Sequence, residues 1–191
     1  IAQKYLVERA LGMGGMGAVF EVTHRVTGKR FAVKWLLPNL TGTADAVQRF
    51  IREAQVAGRF EHPNVVEVYD IGQEGESHYL ILEFVDGPNL SGLISSQPGA
   101  RCDAATTLRI GSQVCQALEY AHSHGILHRD IKPENIMITS EGIPKLMDFG
   151  LAGALRGPKL TPRGVIVGTP AYLPPEQALG KRSDARSDLY S

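Results

Sequence analysis

The sequence predicts an α+β fold with a β-rich first part and a mainly helical second part. Short β-type runs separated by glycine turns fill the beginning of the chain, whereas apolar residues at intervals of three and four recur in its second half. The character of the sequence changes at Asp86-Gly87-Pro88. We therefore place a β-rich lobe at 1–82, a hinge at 83–87 and a helical lobe at 88–191, with ligands expected in the crevice between the lobes.

The first lobe is predicted as an antiparallel meander with one amphipathic helix. Strand-like runs lie at 19–22, 31–35, 65–71 and 78–84. Apolar residues at helical spacing over 44–60 predict a helix that stops at the breaker His62-Pro63-Asn64. A glycine-containing turn is expected at 72–75, between the last two strands.

The second lobe is predicted to begin with a long helix. Asp103 is a suitable N-cap, and helical periodicity continues to His124. The apolar positions that repeat along this helix are Leu108, Gly111, Val114, Cys115, Leu118 and Ala121. We expect these residues to form its buried face.

Composition excludes several classes of protein. Of the 191 residues, 43% are hydrophobic and 21% are charged, and the 20 basic residues equal the 20 acidic ones, so no overall field attracts nucleic acid or an anionic membrane. Cys102 and Cys115 fit neither a zinc site nor a disulfide framework, which favours a cytoplasmic location. The apolar stretch at 79–85 is too short to cross a bilayer, although a span outside this segment is compatible with the sequence.

Three glycines suggest a phosphate-binding loop. Gly12, Gly14 and Gly17 form a GxGxxG pattern, whose backbone can approach phosphate oxygens because no Cβ intervenes. Dinucleotide-binding folds place this pattern between a strand and a helix, but here a strand follows it. The context favours a phosphate-covering hairpin, and the alternative is a glycine-rich hairpin without a ligand.

A lysine and a glutamate could complete that site. In the strand at 31–35, Ala32 and Lys34 point to the same face, which suits an adenine wall next to a phosphate-binding ammonium. Glu53 lies at the margin of the apolar face of the predicted helix and could pair with Lys34. The alternatives are an exposed strand lysine and a solvated glutamate.

The strongest motifs lie in the second half of the chain. His128-Arg129-Asp130-Ile131-Lys132-Pro133-Glu134-Asn135 and Asp148-Phe149-Gly150 resemble the catalytic and magnesium-binding loops of protein kinases. Gly14-Gly15-Met16-Gly17 and Pro174-Pro175-Glu176-Gln177 are most similar to the bacterial, eukaryotic-like serine/threonine kinases. The resemblance runs along nearly the whole chain and implies a two-lobed fold, ATP and Mg²⁺ as ligands, and protein Ser/Thr hydroxyls as acceptors.

The resemblance also implies residue roles. Asp130 would orient the acceptor hydroxyl and take its proton, and Lys132 would neutralise charge on the γ-phosphate. Asn135 and Asp148 would supply oxygen ligands to Mg²⁺, while Lys34, held by Glu53, would bind the α- and β-phosphates. The remaining nucleotide-binding positions would be Leu11, Gly12, Gly14, Gly15, Gly17, Val19, Ala32, Glu83, Val85 and Met137. The alternatives are a core histidine at 128, turn, cap or surface roles for the polar residues, and plain core positions for the apolar ones.

Regulation is expected in the loop after Asp148. Arg129 precedes the catalytic aspartate, and as a buried cation it would need an anionic partner. A phosphate on Thr161 could be that partner, so we expect Thr161 to be phosphorylated. The alternative is that Thr161-Pro162 is only a turn. The resemblance gives Thr169 the role of holding Asp130 and Lys132 in register, and Asp188 that of bracing the catalytic loop.

By the same resemblance, the helical lobe is incomplete. Glu176, Leu179 and Leu189 would then lack partners, so we expect residues 1–191 alone to be poorly soluble or inactive. A homodimer for trans-autophosphorylation is compatible with the family. The rival functions are a non-catalytic pseudokinase, a small-molecule phosphotransferase and a nucleotide-dependent oxidoreductase, each of which fits the motifs less well.

Overall fold

The computed structural model describes residues 1–14, 17–36, 51, 54–55, 57–58, 60–149 and 170–191. The chain forms two compact units. The first contains residues 1–61 and 66–85, and the second contains residues 62–65 and 86–191. The β-rich and helical characters fall in these two units respectively, which confirms the predicted α+β class.

A five-stranded antiparallel sheet forms most of the first unit. Its strands are β1 (Tyr5–Gly14), β2 (Gly17–His24), β3 (Arg30–Leu36), β4 (Val68–Glu74) and β5 (Ser77–Glu83). They are arranged in the order β1-β2-β3-β5-β4, so that β3 and β5 pair although β4 separates them in the sequence. One face of the sheet carries a core of Val22, Val33, Tyr79 and Ile81.

The predicted turn at 72–75 is wrong because Gly72 lies inside strand β4. Gly72 pairs with Tyr79, and a Cβ at Gly72 would come within 2.3 Å of the Tyr79 ring. The glycine therefore makes room for an aromatic side chain, and the turn falls at Gly75-Glu76. Strand β4 begins at Val68 and not at Val65 as predicted. Val65 belongs to the second unit, where it forms an isolated bridge to Leu146.

The predicted helix at 44–60 lies largely outside the described residues. Ile51, Ala54, Gln55 and Ala57 are helical where the structure describes them. Ala54 and Ala57 are buried, as their positions on the apolar face of the predicted helix require.

Helices and a small hairpin form the second unit. The helices are α1 (Leu90–Ser96), α2 (Ala104–Ser123), α3 (Pro175–Ala178) and α4 (Ala185–Tyr190), and the hairpin strands are β6 (Ile136–Ile138) and β7 (Pro144–Leu146). Asp103 caps α2 as predicted, because its Oδ1 accepts the N–H of Thr106 at 2.9 Å. Within the described residues, no helix has the length and apolar character that crossing a bilayer requires.

The buried face of α2 differs in part from the prediction. Leu108 is 74% exposed, and Gly111 and Cys115 are also exposed. Ile110 and Ala117 are buried together with the predicted Val114, Leu118 and Ala121. Leu108 belongs to the first turns of the helix, where the described residues do not cover it.

Asn64, in the predicted breaker His62-Pro63-Asn64, also has a structural role, since its Nδ2 donates to the carbonyl of Pro144 at 2.9 Å.

Candidate active site

In the first unit, the candidate nucleotide-binding residues share one face of the sheet. Antiparallel pairing sets Gly12 opposite Val19, Val19 opposite Lys34, and Lys34 opposite Leu80. Ala32 lies two residues before Lys34 on the same strand and therefore points to the same face. The sheet thus brings together four residues that the sequence assigned to a nucleotide.

A β-bulge sets which part of β1 joins this row. Ala10 pairs with Phe20 and Gly12 pairs with Val19, so Leu11 is an extra residue between them. Bulges re-aim the residues around them, and this one brings Gly12 into line with Val19. Leu11 itself is 39% exposed.

The two outer glycines of the GxGxxG pattern have different surroundings. Gly17 has φ +147°, and a Cβ there would lie 1.9 Å from the carbonyl oxygen of Trp35. A Cβ at Gly12, in contrast, would meet no atom of the described residues within 4 Å, so packing against those residues does not require a glycine there. Gly14 pairs with Gly17 at the end of the hairpin, and Gly15 lies outside the described residues.

Lys34 is only 7% exposed, which excludes the alternative of an exposed strand lysine. A buried ammonium group needs an anionic partner, and a phosphate or a carboxylate would meet that need. The carboxylate predicted for it, that of Glu53, lies outside the described residues.

The residues predicted at the adenine edge lie at the end of β5 and just beyond it, at Glu83 and Val85. The N–H of Glu83 donates to the carbonyl of Glu67 at 2.9 Å, so this N–H is already used within the first unit. Val85 is buried, with 9% of its surface exposed. Because burial is common to pocket walls and core positions, contact with adenine stays a prediction.

In the second unit, the catalytic-loop residues form a connected group. The Nζ of Lys132 donates to Oδ2 of Asp130 at 2.9 Å, and the Nδ2 of Asn135 donates to the same oxygen at 3.0 Å. The amide of Asn135 also donates to the backbone carbonyl of Asp130 at 2.7 Å. The side chain of Asp130 is 23% exposed, so the carboxylate is held firmly while part of it remains accessible.

His128 supports this loop from inside the fold. It is fully buried, its Nε2 lies 2.9 Å from the carbonyl of Met147, and its Nδ1 accepts the N–H of Asp130 at 3.3 Å. These partners assign the proton to Nε2, and burial lowers the pKa of the imidazole, which keeps it neutral. His128 is thus a core histidine, as one of the alternatives held.

Asp188 braces the loop, as the resemblance implied. Its Oδ2 accepts the N–H of His128 at 2.8 Å, its Oδ1 accepts the N–H of Arg129 at 2.7 Å, and it is 2% exposed. Sequence reasoning missed a third partner, His122, whose Nε2 lies 2.8 Å from Oδ2. The signal was available, because His122 follows Leu118 by four residues and so borders the buried face of α2.

Arg129 does not lie in the buried environment predicted for it. Its side chain is exposed, so the expectation of a buried cation is wrong. The backbone has φ 68° at this residue, and its N–H is the group that faces inward, toward Asp188. The regulatory residues Thr161 and Thr169 lie outside the described residues.

The candidate magnesium ligands lie on two loops that contact each other. The N–H of Met147, next to Asp148, donates to the carbonyl of Asn135 at 3.0 Å. Since the Nδ2 of Asn135 is engaged by Asp130, its Oδ1 is the atom suited to a cation, and the carboxylate of Asp148 is a second hard oxygen ligand. The described residues contain no cluster of three metal-ligating side chains, but Mg²⁺ commonly takes one or two protein oxygens together with phosphates and water.

Met137, the predicted lower wall for the base, lies on the β6–β7 hairpin. It pairs with Lys145 and forms a bridge to Asn89. Gly87 approaches the same hairpin closely, since a Cβ there would lie 1.9 Å from the carbonyl oxygen of Ile138. The segment that follows residue 86 therefore packs directly on the strand that carries Met137.

Comparison with known proteins agrees with this arrangement. The protein kinase domain family model matches residues 5–191, and the chain belongs to this family. The sequence is 42% identical to a probable serine/threonine-protein kinase of Streptomyces coelicolor over 98% of this chain and 28% of that protein. It is 43% identical to the serine/threonine-protein kinase Pkn1 of Myxococcus xanthus over 96% of this chain and 27% of that protein.

A solved structure has a similar fold. The kinase domain of Mycobacterium tuberculosis PknI matches with a TM-score of 0.77 and 31% identity, over 97% of this chain and 68% of that one. The two-lobed kinase fold with an incomplete helical lobe is thereby confirmed. The chain spans less than a third of the length of the two curated relatives.

Proposed function

We propose that this chain is the catalytic part of a serine/threonine protein kinase, which transfers the γ-phosphate of ATP to hydroxyl groups of proteins. The observation that carries the proposal is the group of Asp130, Lys132 and Asn135, in which two donors fix one oxygen of a partly accessible carboxylate. The relatives named as serine/threonine kinases support the acceptor class.

Phosphoryl transfer needs positioning and charge neutralisation more than covalent chemistry, and the described residues suit those tasks. Asp130 accepts a hydrogen bond from the acceptor hydroxyl and takes its proton as the new P–O bond forms and the bond to ADP breaks. Lys132, already 2.9 Å from that carboxylate, can neutralise charge on the moving phosphoryl group. Bound Mg²⁺, held by Asn135 and Asp148, would neutralise charge on the phosphates.

The first unit would bind the rest of the nucleotide. Buried Lys34 holds the α- and β-phosphates, and Val19 and Ala32 on the same sheet face contact the base. The space beside Gly12 in the described structure leaves room for phosphate oxygens to approach its backbone, as the GxGxxG pattern suggests.

Control by phosphorylation belongs to the same proposal. We expect Thr161 to be the acceptor, phosphorylated in trans by a second copy, with exposed Arg129 free to reach a phosphate from solvent. Mass spectrometry of the full-length protein after incubation with Mg-ATP checks this expectation. Phosphate at other sites and none at Thr161 would contradict it.

The test of the proposed reaction is transfer from radiolabelled ATP to a generic protein substrate by the full-length protein. Asp130→Asn should lower kcat by about 10²- to 10⁴-fold, the usual effect of losing a general base. Glu119→Gln removes a carboxylate from the exposed face of α2 and serves as the matched control. Equal rates for Asp130→Asn and the control would exclude the proposal, and a wild-type protein that binds ATP but transfers nothing would favour a pseudokinase.

A further inference from the structure

An ion-pair network lies on the nucleotide-facing side of the sheet, and the proposed reaction does not use it. Glu21 is 6% exposed, and its carboxylate accepts from Nε of Arg9 at 2.8 Å and from Nη1 of Arg30 at 3.2 Å. We call Arg9, Glu21 and Arg30 the charge triad. A carboxylate this deeply buried on a strand needs compensation by charge, and both arginines supply it.

Strand register places the charge triad next to the predicted adenine wall. Glu21 pairs directly with Ala32 across β2 and β3. Arg30 precedes Ala32 by two residues and points to the same face. The charge triad therefore borders the end of the site that would hold the base, since Glu21 lies opposite Ala32, two residues before Lys34 on β3.

Arg30 also contacts the hinge. Its Cζ lies 4.4 Å from the centroid of the Phe84 ring, within the range of a cation–π interaction. The contact follows from register, because β3 and β5 pair Phe31 with Glu83, and one further step sets Arg30 beside Phe84. A single guanidinium thus touches strand β2 through Glu21 and the hinge through Phe84.

We propose that Arg30 is a positioning residue for the adenine end of the nucleotide, an inference that rests on the proposed function. Glu83 and Val85, predicted to contact the adenine edge, flank Phe84, while Val19 lies two residues before Glu21 on β2. By joining Glu21 to Phe84, Arg30 holds the hinge at a fixed distance from the wall above the base. Lysine could keep the charge but could not both stack on the ring and present a planar fork to the carboxylate.

The experiment measures dissociation constants of adenosine, ADP and ATP for the full-length protein, together with KM and kcat. Arg30→Ala should weaken all three ligands by the same factor, about three- to tenfold, and leave kcat within about twofold, because the lost contact is at the base. Arg30→Lys should recover part of the affinity. The control is Arg25→Ala, which removes an exposed arginine in the β2–β3 turn and should change nothing.

A second variant keeps the test decisive if Arg30→Ala does not fold. Glu21→Gln retains the shape of the side chain and should weaken the binding of adenosine, ADP and ATP by equal factors. The double variant with Arg30→Ala should bind them no more weakly than Arg30→Ala alone, because both substitutions break the same contact. A loss confined to ATP, or a lower Tm with unchanged dissociation constants, overturns the inference. If the wild type binds adenosine but Asp130→Asn transfers phosphate at the wild-type rate, the proposed reaction is wrong. The adenosine dissociation constants then still decide the role of Arg30. A wild type that binds neither adenosine nor adenine nucleotides overturns both proposals.

Discussion

The two units hold their candidate functional side chains by different means. In the first unit, backbone pairing sets Val19 and Lys34 side by side, and the sheet would keep this order through most side-chain substitutions. In the second unit, the loop around Asp130 lacks such a ladder, and the backbone N–H groups of His128 and Arg129 both bond to one buried carboxylate, that of Asp188. In the sheet, many backbone hydrogen bonds together position the side chains. In the loop, one buried carboxylate has a much larger share in positioning them.

Replacing Asp188 should therefore cause the largest loss. The carboxylate of Asp188 accepts N–H groups of His128, Arg129 and His122. Asn at this position would replace one accepting oxygen with an NH₂ donor, which would leave buried N–H groups unpaired. We expect the free energy of unfolding to fall by about 3–5 kcal/mol and phosphotransfer to fall at least about 10²-fold. Urea unfolding and a transfer assay check this.

Asp184→Asn is the matched control for Asp188. Asp184 caps helix α4, where its exposed side chain accepts from Arg186, and Asn caps helices equally well. Its effect should stay within about 0.5 kcal/mol. Similar losses for the two variants would show that positioning in the second unit is not concentrated in Asp188.

The first and last glycines of the GxGxxG pattern, both in the first unit, sharpen the comparison. Gly17→Ala adds a Cβ at a positive φ and against the carbonyl of Trp35, and should lower the free energy of unfolding by about 2–4 kcal/mol. Gly12→Ala adds a Cβ into open space, so stability should change by less than about 0.5 kcal/mol while affinity for ATP falls. Equal loss of stability in both variants would remove the argument that Gly12 serves a ligand.

A smaller effect should appear on acidification, and it arises in the second unit. Burial lowers the pKa of His128 from its ordinary value of 6.5, although its bond to the Met147 carbonyl and nearby carboxylates oppose this shift. Below pH 6.5 the unfolded chain binds a proton that the folded chain does not, so stability decreases as the pH falls. The free energy of unfolding should fall by at most about 1.4 kcal/mol per pH unit from this group.

Urea unfolding at several pH values between 7.5 and 5.5, about the range in which histidine titrates, measures this slope. His128→Gln should reduce the slope without abolishing it, because His62 also has a pKa lowered by burial and by Lys145. A wild-type protein that becomes more stable on acidification would contradict the neutral assignment of His128.

The sequence was sufficient for the parts of the site that depend on local order. Alternation along a strand predicted that Ala32 and Lys34 share a face. The resemblance of the loop at 128–135 to that of protein kinases singled out Asp130, Lys132 and Asn135, which the structure brings into contact. Both groups span few residues of one segment, so their side chains meet without help from distant parts of the chain.

The parts that failed depend on what packs across the fold. Gly72 was taken for a turn because the ring of Tyr79 is invisible in a local window. Glu21 would normally be taken for an exposed strand residue, since its compensation by Arg9 and Arg30 comes from two other strands. The exposure of Arg129 follows from a positive φ that sequence does not specify for a non-glycine residue.

The contact between Gly72 and Tyr79 limits how this protein can evolve. Tyr79 stacks on Trp35 with ring centroids 5.5 Å apart, and it occupies the volume that a methyl group at position 72 would fill. A mutation that enlarges residue 72 can be accepted only after residue 79 has become small, which would first cost the aromatic stack. In related lineages the two positions should consequently change as a pair, small with large, and intermediates with two large residues should be rare.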